Sequence, residues 1–190
     1  MKHTDYQHFA AQIIELLKVD EDYRNQLIEK GRLGEGYDDE MARIHHHNAD
    51  RLHAIIEEIG YPTARKVGPE ASEAARRIIQ HAIGRPAFMR RAAALLEEAV
   101  RNHQADPRTL TYWSDRIAVL EGGRQRYGTQ FDWDEHGAMN PTPYDDLALV
   151  NQRRKAMGLN TLEEQTAWMR QRMIMENQKP PRDFEARKRA

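Results

Sequence analysis

The sequence predicts an all-α fold, a single compact helical domain of about seven helices with one irregular insert near residues 124–144. Apolar residues recur at three- and four-residue spacing through most of the chain. Prolines, glycines and capping residues divide these stretches into helix-sized segments. Between Gly122 and Tyr144 the helical period disappears, so we expect an irregular segment that contains a small hairpin.

The composition indicates a folded, water-soluble protein. The 190 residues are 39% hydrophobic and 31% charged, with a formal net charge of -1 and no cysteine. A neutral overall charge gives no attraction to nucleic acid or anionic membranes, and the lack of cysteine excludes disulfides and zinc–thiolate sites. The N-terminal stretch has no apolar signal region, and no run approaches the roughly 18 apolar residues of a membrane span. We therefore expect a cytoplasmic protein with no nucleic-acid or membrane partner.

Three segments are expected along the chain. Residues 1–38 form an N-terminal helical segment, and residues 39–176 form the helical core domain that carries the polar site. Residues 177–190 are rich in basic residues and poor in apolar ones. Such a composition is typical of a mobile tail.

The N-terminal segment is expected to hold two helices. Thr4 or Asp5 caps the first, and Asp20 starts a second, shorter one. The glycine-rich connection at 31–36 has neither the Walker spacing nor a preceding strand. It is therefore not expected to bind phosphate.

The core helices are predicted from their end signals. The most regular runs from Asp39 to Ile59 and is ended by Gly60 and Pro62. Proline near the first turn, capping residues and a capping box mark the others. These helices are expected to start at Gly68-Pro69, Pro86, Asp106-Pro107, about Asp145 and Thr161.

The first candidate site is the polar run after the Gly122-Gly123 break. Its side chains offer amides and hydroxyls, and Gly128 allows close approach of the backbone. A loop of this composition suits recognition of polar groups on a ligand. The alternative is a buried loop whose side chains satisfy its own backbone. The predicted substrate-binding residues here are Gln125, Tyr127, Thr129 and Gln130.

His81 is the candidate acid–base catalyst, because imidazole exchanges protons near neutral pH. The alternative is a structural histidine that is hydrogen-bonded within the core. Gln80 precedes it, and His45 and Asn48 interrupt the apolar stripe of the Asp39–Ile59 helix. Asn48 and Gln80 are predicted to bind polar groups of the substrate, and His45 is a second catalytic candidate in the same cleft. The alternative for His45 and Asn48 is a hydrogen-bonded pair in the core.

Asp115 and Arg116 form an ion-pairable couple on the helix before the polar run. Asp115 or His45 is predicted to set the tautomer or the charge of His81. Arg116 or Arg154 is predicted to hold an anionic group through guanidinium hydrogen bonds. A purely structural ion pair is the alternative. With His45, Asn48 and His81, Asp115 also offers nitrogen and oxygen ligands that suit zinc, iron or manganese.

A set of short motifs resembles one bacterial protein family. The motifs are Gln80-His81-Ala82, Asp115-Arg116, Gln125-x-Tyr127-Gly128-Thr129-Gln130 and Arg153-Arg154. In this order they resemble the family catalogued as domain of unknown function 6624, over roughly residues 40 to 170. The family brings no established reaction, so the resemblance implies the extent of a domain and adds no chemistry.

These observations favour a small-molecule enzyme that uses cofactor-free acid–base chemistry on a polar, possibly anionic substrate, such as a hydrolase, cyclase or lyase. One alternative is a non-catalytic module that binds a metabolite or peptide. The other is a metalloenzyme with histidine and carboxylate ligands. The methionine-rich last helix is a candidate surface for a homo-oligomer or a partner.

Overall fold

The computed structural model describes residues 6–32 and 36–180, and this part of the chain is mainly helical. It contains eight helices and one two-stranded sheet. The helices are α1 (Gln7–Glu29), α2 (Asp39–Ile59), α3 (Ala64–Val67), α4 (Pro69–His81), α5 (Pro86–Arg101), α6 (Arg108–Leu120), α7 (Leu147–Ala156) and α8 (Leu162–Met175). The strands are β1 (Phe131–Trp133) and β2 (Met139–Pro141). The predicted all-α class is thus confirmed in outline, with a small sheet in addition.

The described residues divide into two compact units. Unit one contains residues 6–26 and 39–110, and unit two contains residues 27–32, 36–38 and 111–180. The division falls within α1 and within α6, so both helices contribute to both units. Each unit has its own buried apolar residues.

Unit one is a helical assembly in which α4 packs on α2, α3 and α5. The face that α4 buries consists of small and branched residues, including Ala71, Ala75, Ile78 and Ile79. Alanines allow neighbouring helices to approach closely. Leu52 and Ile56 of α2 and Met89 and Leu96 of α5 complete this core.

Two local expectations for unit one need correction. The structure has one continuous helix, α1, where a second segment was expected to start at Asp20. Asp20 therefore lies in the interior of a helix rather than at its cap. The second difference is α3, a single turn at Ala64–Val67 that precedes the predicted helix at Pro69.

Unit two contains the predicted irregular insert, and the insert includes a hairpin. β1 and β2 are antiparallel, with Asp132 opposite Asn140. Asp146 caps α7 by accepting hydrogen bonds from two backbone N–H groups. The capping box predicted at the start of α8 is present, between Thr161 and Glu164. These short-range signals were correct because both partners lie within one helical turn.

Within the described residues, none of the helices combines the length and the apolar character needed to cross a membrane. The predicted caps Thr4 and Asp5, part of the 31–36 connection and the tail beyond residue 180 lie outside the described residues.

Candidate functional site

Three polar side chains from three helices meet inside unit one. Asp20 lies on α1, His45 lies on α2 and His81 is the last residue of α4. Oδ2 of Asp20 is 2.6 Å from Nδ1 of His81, and Oδ1 is 3.3 Å from Nε2 of His45. The two imidazole rings lie 5.1 Å apart between centroids. We name these three residues the Asp–His–His cluster.

Asp20 is buried because it lies on the apolar face of α1. Ile13, Leu17 and Asp20 follow one another at helical spacing, and all three are buried. Only 1% of Asp20 is exposed. A carboxylate within an apolar stripe was the sequence signal for this residue, and it was missed because a helix start was placed there.

The environment keeps Asp20 ionised. Burial by itself raises the pKa of a carboxyl group. Hydrogen bonds from His45 and His81, together with the charge of these imidazoles, lower the pKa of Asp20 by a larger amount. The pKa of Asp20 consequently lies well below its usual range. The cluster therefore contains a permanent negative charge at neutral pH.

His81 differs from His45 in its access to solvent. The side chain of His81 is 27% exposed, whereas that of His45 is 10% exposed. Among the described residues, Asp20 is the one hydrogen-bond partner of the His81 imidazole, and the contact is made through Nδ1. Because Asp20 accepts at Nδ1, the neutral imidazole carries its proton there. Nε2 is then left with a lone pair that can accept a proton.

The other two predicted residues of unit one have partners within the protein. The amide of Asn48 donates to the backbone carbonyl of Leu16 at 2.8 Å, which joins α2 to α1. Gln80 accepts a hydrogen bond from Arg76 at 3.0 Å through Oε1. Substrate binding by Asn48 and Gln80 stays a prediction.

Asp115 lies in unit two, where its carboxylate organises the polar run. It accepts hydrogen bonds from the backbone N–H groups of Arg126, Tyr127 and Thr129 and from the hydroxyl of Thr129, at 2.8–3.2 Å. None of Asp115 is exposed to solvent. The carboxylate that contacts His81 within unit one is that of Asp20, and a catalytic role of Asp115 stays a prediction.

Gln125 and Gln130 hold the same loop from inside. Nε2 of Gln125 donates to the carbonyls of Gln130 and Thr142, and its Oε1 accepts from the backbone N–H of Gln130 at 2.6 Å. The amide of Gln130 donates to the carbonyl of Tyr112. These contacts match the structural alternative for the loop, and ligand binding by Gln125, Tyr127, Thr129 and Gln130 stays a prediction.

The two candidate anion-binding arginines are in different environments. Arg154 is 2% exposed and donates to the carbonyls of Tyr127 and Asn160 and to the side chain of Asn160. Arg116 has a buried Nε with no hydrogen-bond partner among the described residues. Burial lowers the pKa of Arg116 below its usual value. Arg154 thus has partners within the loop, and anion binding by Arg116 or Arg154 stays a prediction.

Among the described residues, the Asp–His–His cluster also has the ligand atoms that a metal site requires. One ligand atom from each of its three residues can be chosen such that all lie within 4.8 Å of one another. Two imidazole nitrogens and one carboxylate oxygen suit zinc, iron or manganese. Of the run His45-His46-His47, only His45 belongs to this group.

Comparison with known proteins gives one match. A model described as "Family of unknown function (DUF6624)" matches residues 7–175. The match includes α1 and Asp20, which lie outside the range expected from the motifs. No curated protein and no solved structure matches the chain.

Proposed function

Because this chain belongs to the family of unknown function DUF6624, its chemistry is inferred from the site, and we propose a small-molecule enzyme that uses acid–base catalysis at His81. The observation that carries the proposal is the contact between a buried carboxylate and a partly exposed imidazole. This combination is typical of histidines that transfer protons in enzymes. In this proposal His81 is the catalytic residue and Asp20 is the positioning residue.

Asp20 prepares His81 for this reaction in two ways. Its acceptor at Nδ1 fixes the tautomer in which Nε2 is unprotonated and can remove a proton from a substrate. When the imidazolium forms, the neighbouring carboxylate stabilises the positive charge. The proton is then available at Nε2 for return to a leaving group or an intermediate.

His45 supports this arrangement from the buried side. Its Nε2 lies beside Oδ1 of Asp20, so the carboxylate has a second polar contact within the protein. A second hydrogen bond limits rotation of the carboxylate. His45 therefore keeps Oδ2 directed at His81.

The proposed substrate is polar. Within unit two, the buried Nε of Arg116 has no hydrogen-bond partner among the described residues, and this favours binding of an anionic group at that arginine. The reaction class is proton transfer during hydrolysis, elimination or cyclisation. No bound cofactor is required for such steps.

The proposal is testable without a substrate by measuring the tautomer of His81. Two-bond ¹H–¹⁵N spectra of the imidazole should show a protonated Nδ1 and an unprotonated Nε2 in the wild type. Asp20→Asn should shift the balance toward the other tautomer. His53 is the control, because it pairs with Glu57 one helical turn away on the exposed face of the same helix. The tautomer of His53 should be the same in Asp20→Asn as in the wild type.

Turnover on a panel of esters, amides, hydroxy acids and cyclisable metabolites tests catalysis itself. His81→Gln should abolish any turnover, and Asp20→Asn should reduce kcat by on the order of 10⁴-fold, as expected when a histidine loses its orienting carboxylate. His53→Gln should retain wild-type rates. Ligand binding without turnover in the wild type would instead support the non-catalytic binding module.

Metal-dependent catalysis is the second candidate function, and the spacing of the cluster's ligand atoms favours it. Metal binding through the ring nitrogens that face Asp20 would require the tautomers in which those nitrogens are unprotonated. Protein purified without chelator should then contain one equivalent of zinc, iron or manganese, and both Asp20→Asn and His81→Gln should lose it. Stoichiometric metal would overturn the cofactor-free proposal.

We also propose that α8 is a contact surface for a second copy or a partner protein. Trp168, Ile174 and Met175 are exposed on this helix, and Ile174 and Met175 are each about 80% exposed. Light scattering of the wild type beside a Trp168→Ser/Ile174→Ser variant tests this.

We place the protein in the cytoplasm, which localisation of a tagged chain would check.

A further inference from the structure

A cavity of about 200 Å³ in unit one is lined by residues that the proposed reaction does not use. This volume is below the roughly 300 Å³ at which pockets for drug-sized ligands begin, so the cavity suits a smaller molecule. None of the three cluster residues lines it. Its polar lining consists of Tyr61, Thr63, Lys66, Glu98, Asn102 and Gln104.

The hydroxyl of Thr63 is the first sign that this cavity takes a ligand. Thr63 is 2% exposed, and its Oγ1 has no hydrogen-bond partner among the described residues. Although Thr63 occupies the position before α3, its side chain does not cap that helix. A buried hydroxyl without a partner is unfavourable for the folded protein. A ligand in the cavity would supply the missing partner.

Lys66 places a positive charge at the same cavity. Its ammonium donates to the backbone carbonyl of Ile59, which uses one of three donors. Gly60 lets it lie there, because a Cβ at this glycine would be 3.1 Å from Nζ of Lys66. Two donors of the ammonium remain for an acceptor on a ligand.

Glu98 provides the opposite charge on the α5 side of the cavity. Burial lowers the pKa of Lys66, and the charge of Glu98 acts in the other direction. Glu98 is exposed, whereas Thr63 is buried and Lys66 is half-buried. The cavity is therefore lined by donors on a buried and a half-buried residue and by the carboxylate of an exposed residue.

We propose that this cavity binds a small zwitterion, a molecule of about the size of alanine that carries one carboxylate and one ammonium group. The carboxylate of the ligand would accept from the Lys66 ammonium and the Thr63 hydroxyl. Its ammonium group would pair with Glu98. The site is separate from the proposed reaction at His81, so either proposal can fail without the other.

Titrations followed by ¹H–¹⁵N spectra test the proposal with three probes: L-alanine, propionate and ethylammonium. Alanine should shift the amide signals of residues 60–66 and 98–104 with a saturable isotherm. Propionate and ethylammonium each lack one of the two charges and should bind at least 10-fold more weakly. His81→Gln should bind alanine as the wild type does.

Three variants assign the contacts. Lys66→Met should abolish alanine binding. Glu98→Gln should weaken alanine binding about 10-fold and leave propionate unchanged, whereas the adjacent Glu97→Gln should have no effect, since Glu97 does not line the cavity. Thr63→Val should weaken binding while its melting temperature stays at or above that of the wild type, because it removes an unpartnered hydroxyl without a change in volume.

Several outcomes would overturn the proposal. One is the absence of saturable shifts with all three probes, which would show a recess that holds water only. Another is equal binding of propionate and alanine with no effect of Glu98→Gln. A lower melting temperature for Thr63→Val would show that the hydroxyl serves the fold. If Lys66→Met fails to fold, Glu98→Gln and Thr63→Val decide the question.

Discussion

His81 on α4 and Asp20 on α1 are 61 positions apart in the sequence, and Nδ1 of the one lies 2.6 Å from Oδ2 of the other. Replacement of a buried polar pair by well-packed apolar residues is often neutral or stabilising, because burial removes the hydration of the polar groups. The pair as a whole is therefore not required for stability, although removal of one partner alone is costly. A partly exposed imidazole beside a buried carboxylate is better explained by chemistry than by stability.

The stability contributed by Asp20 is expected to depend on pH. Its pKa is lowered in the folded protein, so its contribution is complete above the unfolded pKa of about 3.9 and is lost as the pH falls toward the folded value. At neutral pH, Asp20→Asn should reduce the free energy of unfolding by about 3 kcal/mol. Between about pH 5 and pH 2 the gap to the wild type should close. Urea unfolding across this range measures it.

Asp50→Asn is the matched control for this experiment. A hydrogen bond from Arg85 lowers the pKa of Asp50, but the pair is on the surface. The change should cost less than about 1 kcal/mol at any pH. A gap between wild type and Asp20→Asn that widens on acidification would contradict the lowered pKa of Asp20.

The sequence predicted those features whose signals are local. The helix Asp39–Ile59 has the predicted bounds, and the capping box at Thr161 and the hairpin in the insert are present. His45 and His81, which were expected in the same cleft, lie 5.1 Å apart between ring centroids. Asp20 was not selected, because an aspartate between two apolar stretches suggests a helix cap when only the neighbouring residues are considered. Its contact with His81 depends on the fold, which brings α1 and α4 together.

The polar run shows the same limit in the opposite direction. Its amides and hydroxyls indicated ligand recognition, yet the side chains of Gln125 and Asp115 bind the backbone of the loop itself. A sequence gives the donors and acceptors but not their partners. The backbone groups of such a loop have no helix or sheet partners, so polar side chains supply the hydrogen bonds instead. The loop then contains the same residue types as a ligand-binding site.

Asp115→Asn should destabilise unit two strongly. An amide in place of the carboxylate loses the charge and turns one acceptor into a donor that faces the N–H groups of the loop. We expect a loss of at least about 3 kcal/mol in the free energy of unfolding, measured by chemical denaturation. Asp145→Asn, which breaks the partly exposed pair with Arg153, should cost less than about 1 kcal/mol. Equal losses would refute the organising role of Asp115.

Arg116 and Arg154 are expected to respond in opposite ways to replacement by methionine, which keeps most of the buried stem. Arg154→Met removes donors from the carbonyls of Tyr127 and Asn160 and should cost about 2–4 kcal/mol. Arg116→Met removes a guanidinium whose buried Nε has no hydrogen-bond partner among the described residues. Its melting temperature should equal or exceed that of the wild type.

Inorganic phosphate provides the second half of this test. If Arg116 binds an anion, phosphate should raise the melting temperature of the wild type and of Arg154→Met but not that of Arg116→Met. Sodium chloride at equal ionic strength is the control for screening. A lower melting temperature for Arg116→Met without phosphate would show that the guanidinium has a structural role.

Gly128 and Gly158 form a pair that separates backbone strain from side-chain contact. Their φ angles are +64° and +66°, so alanine at either position is held in the left-handed region, which costs about 1–2 kcal/mol. A Cβ at Gly158 meets no atom within 4 Å, whereas at Gly128 it would be 2.7 Å from Cδ1 of Leu162. Leu162 is 2% exposed and has little room to move.

Gly158→Ala should therefore show the backbone cost alone, and Gly128→Ala should lose roughly 1–3 kcal/mol more through overpacking. Both are measured by urea unfolding of otherwise identical chains. The additional loss should shrink when Leu162→Val is present in both backgrounds, because the shortened side chain leaves room for the new methyl group. Equal losses for the two glycine variants would mean that α8 shifts away from the loop, and Gly128 would then be required for its φ angle only.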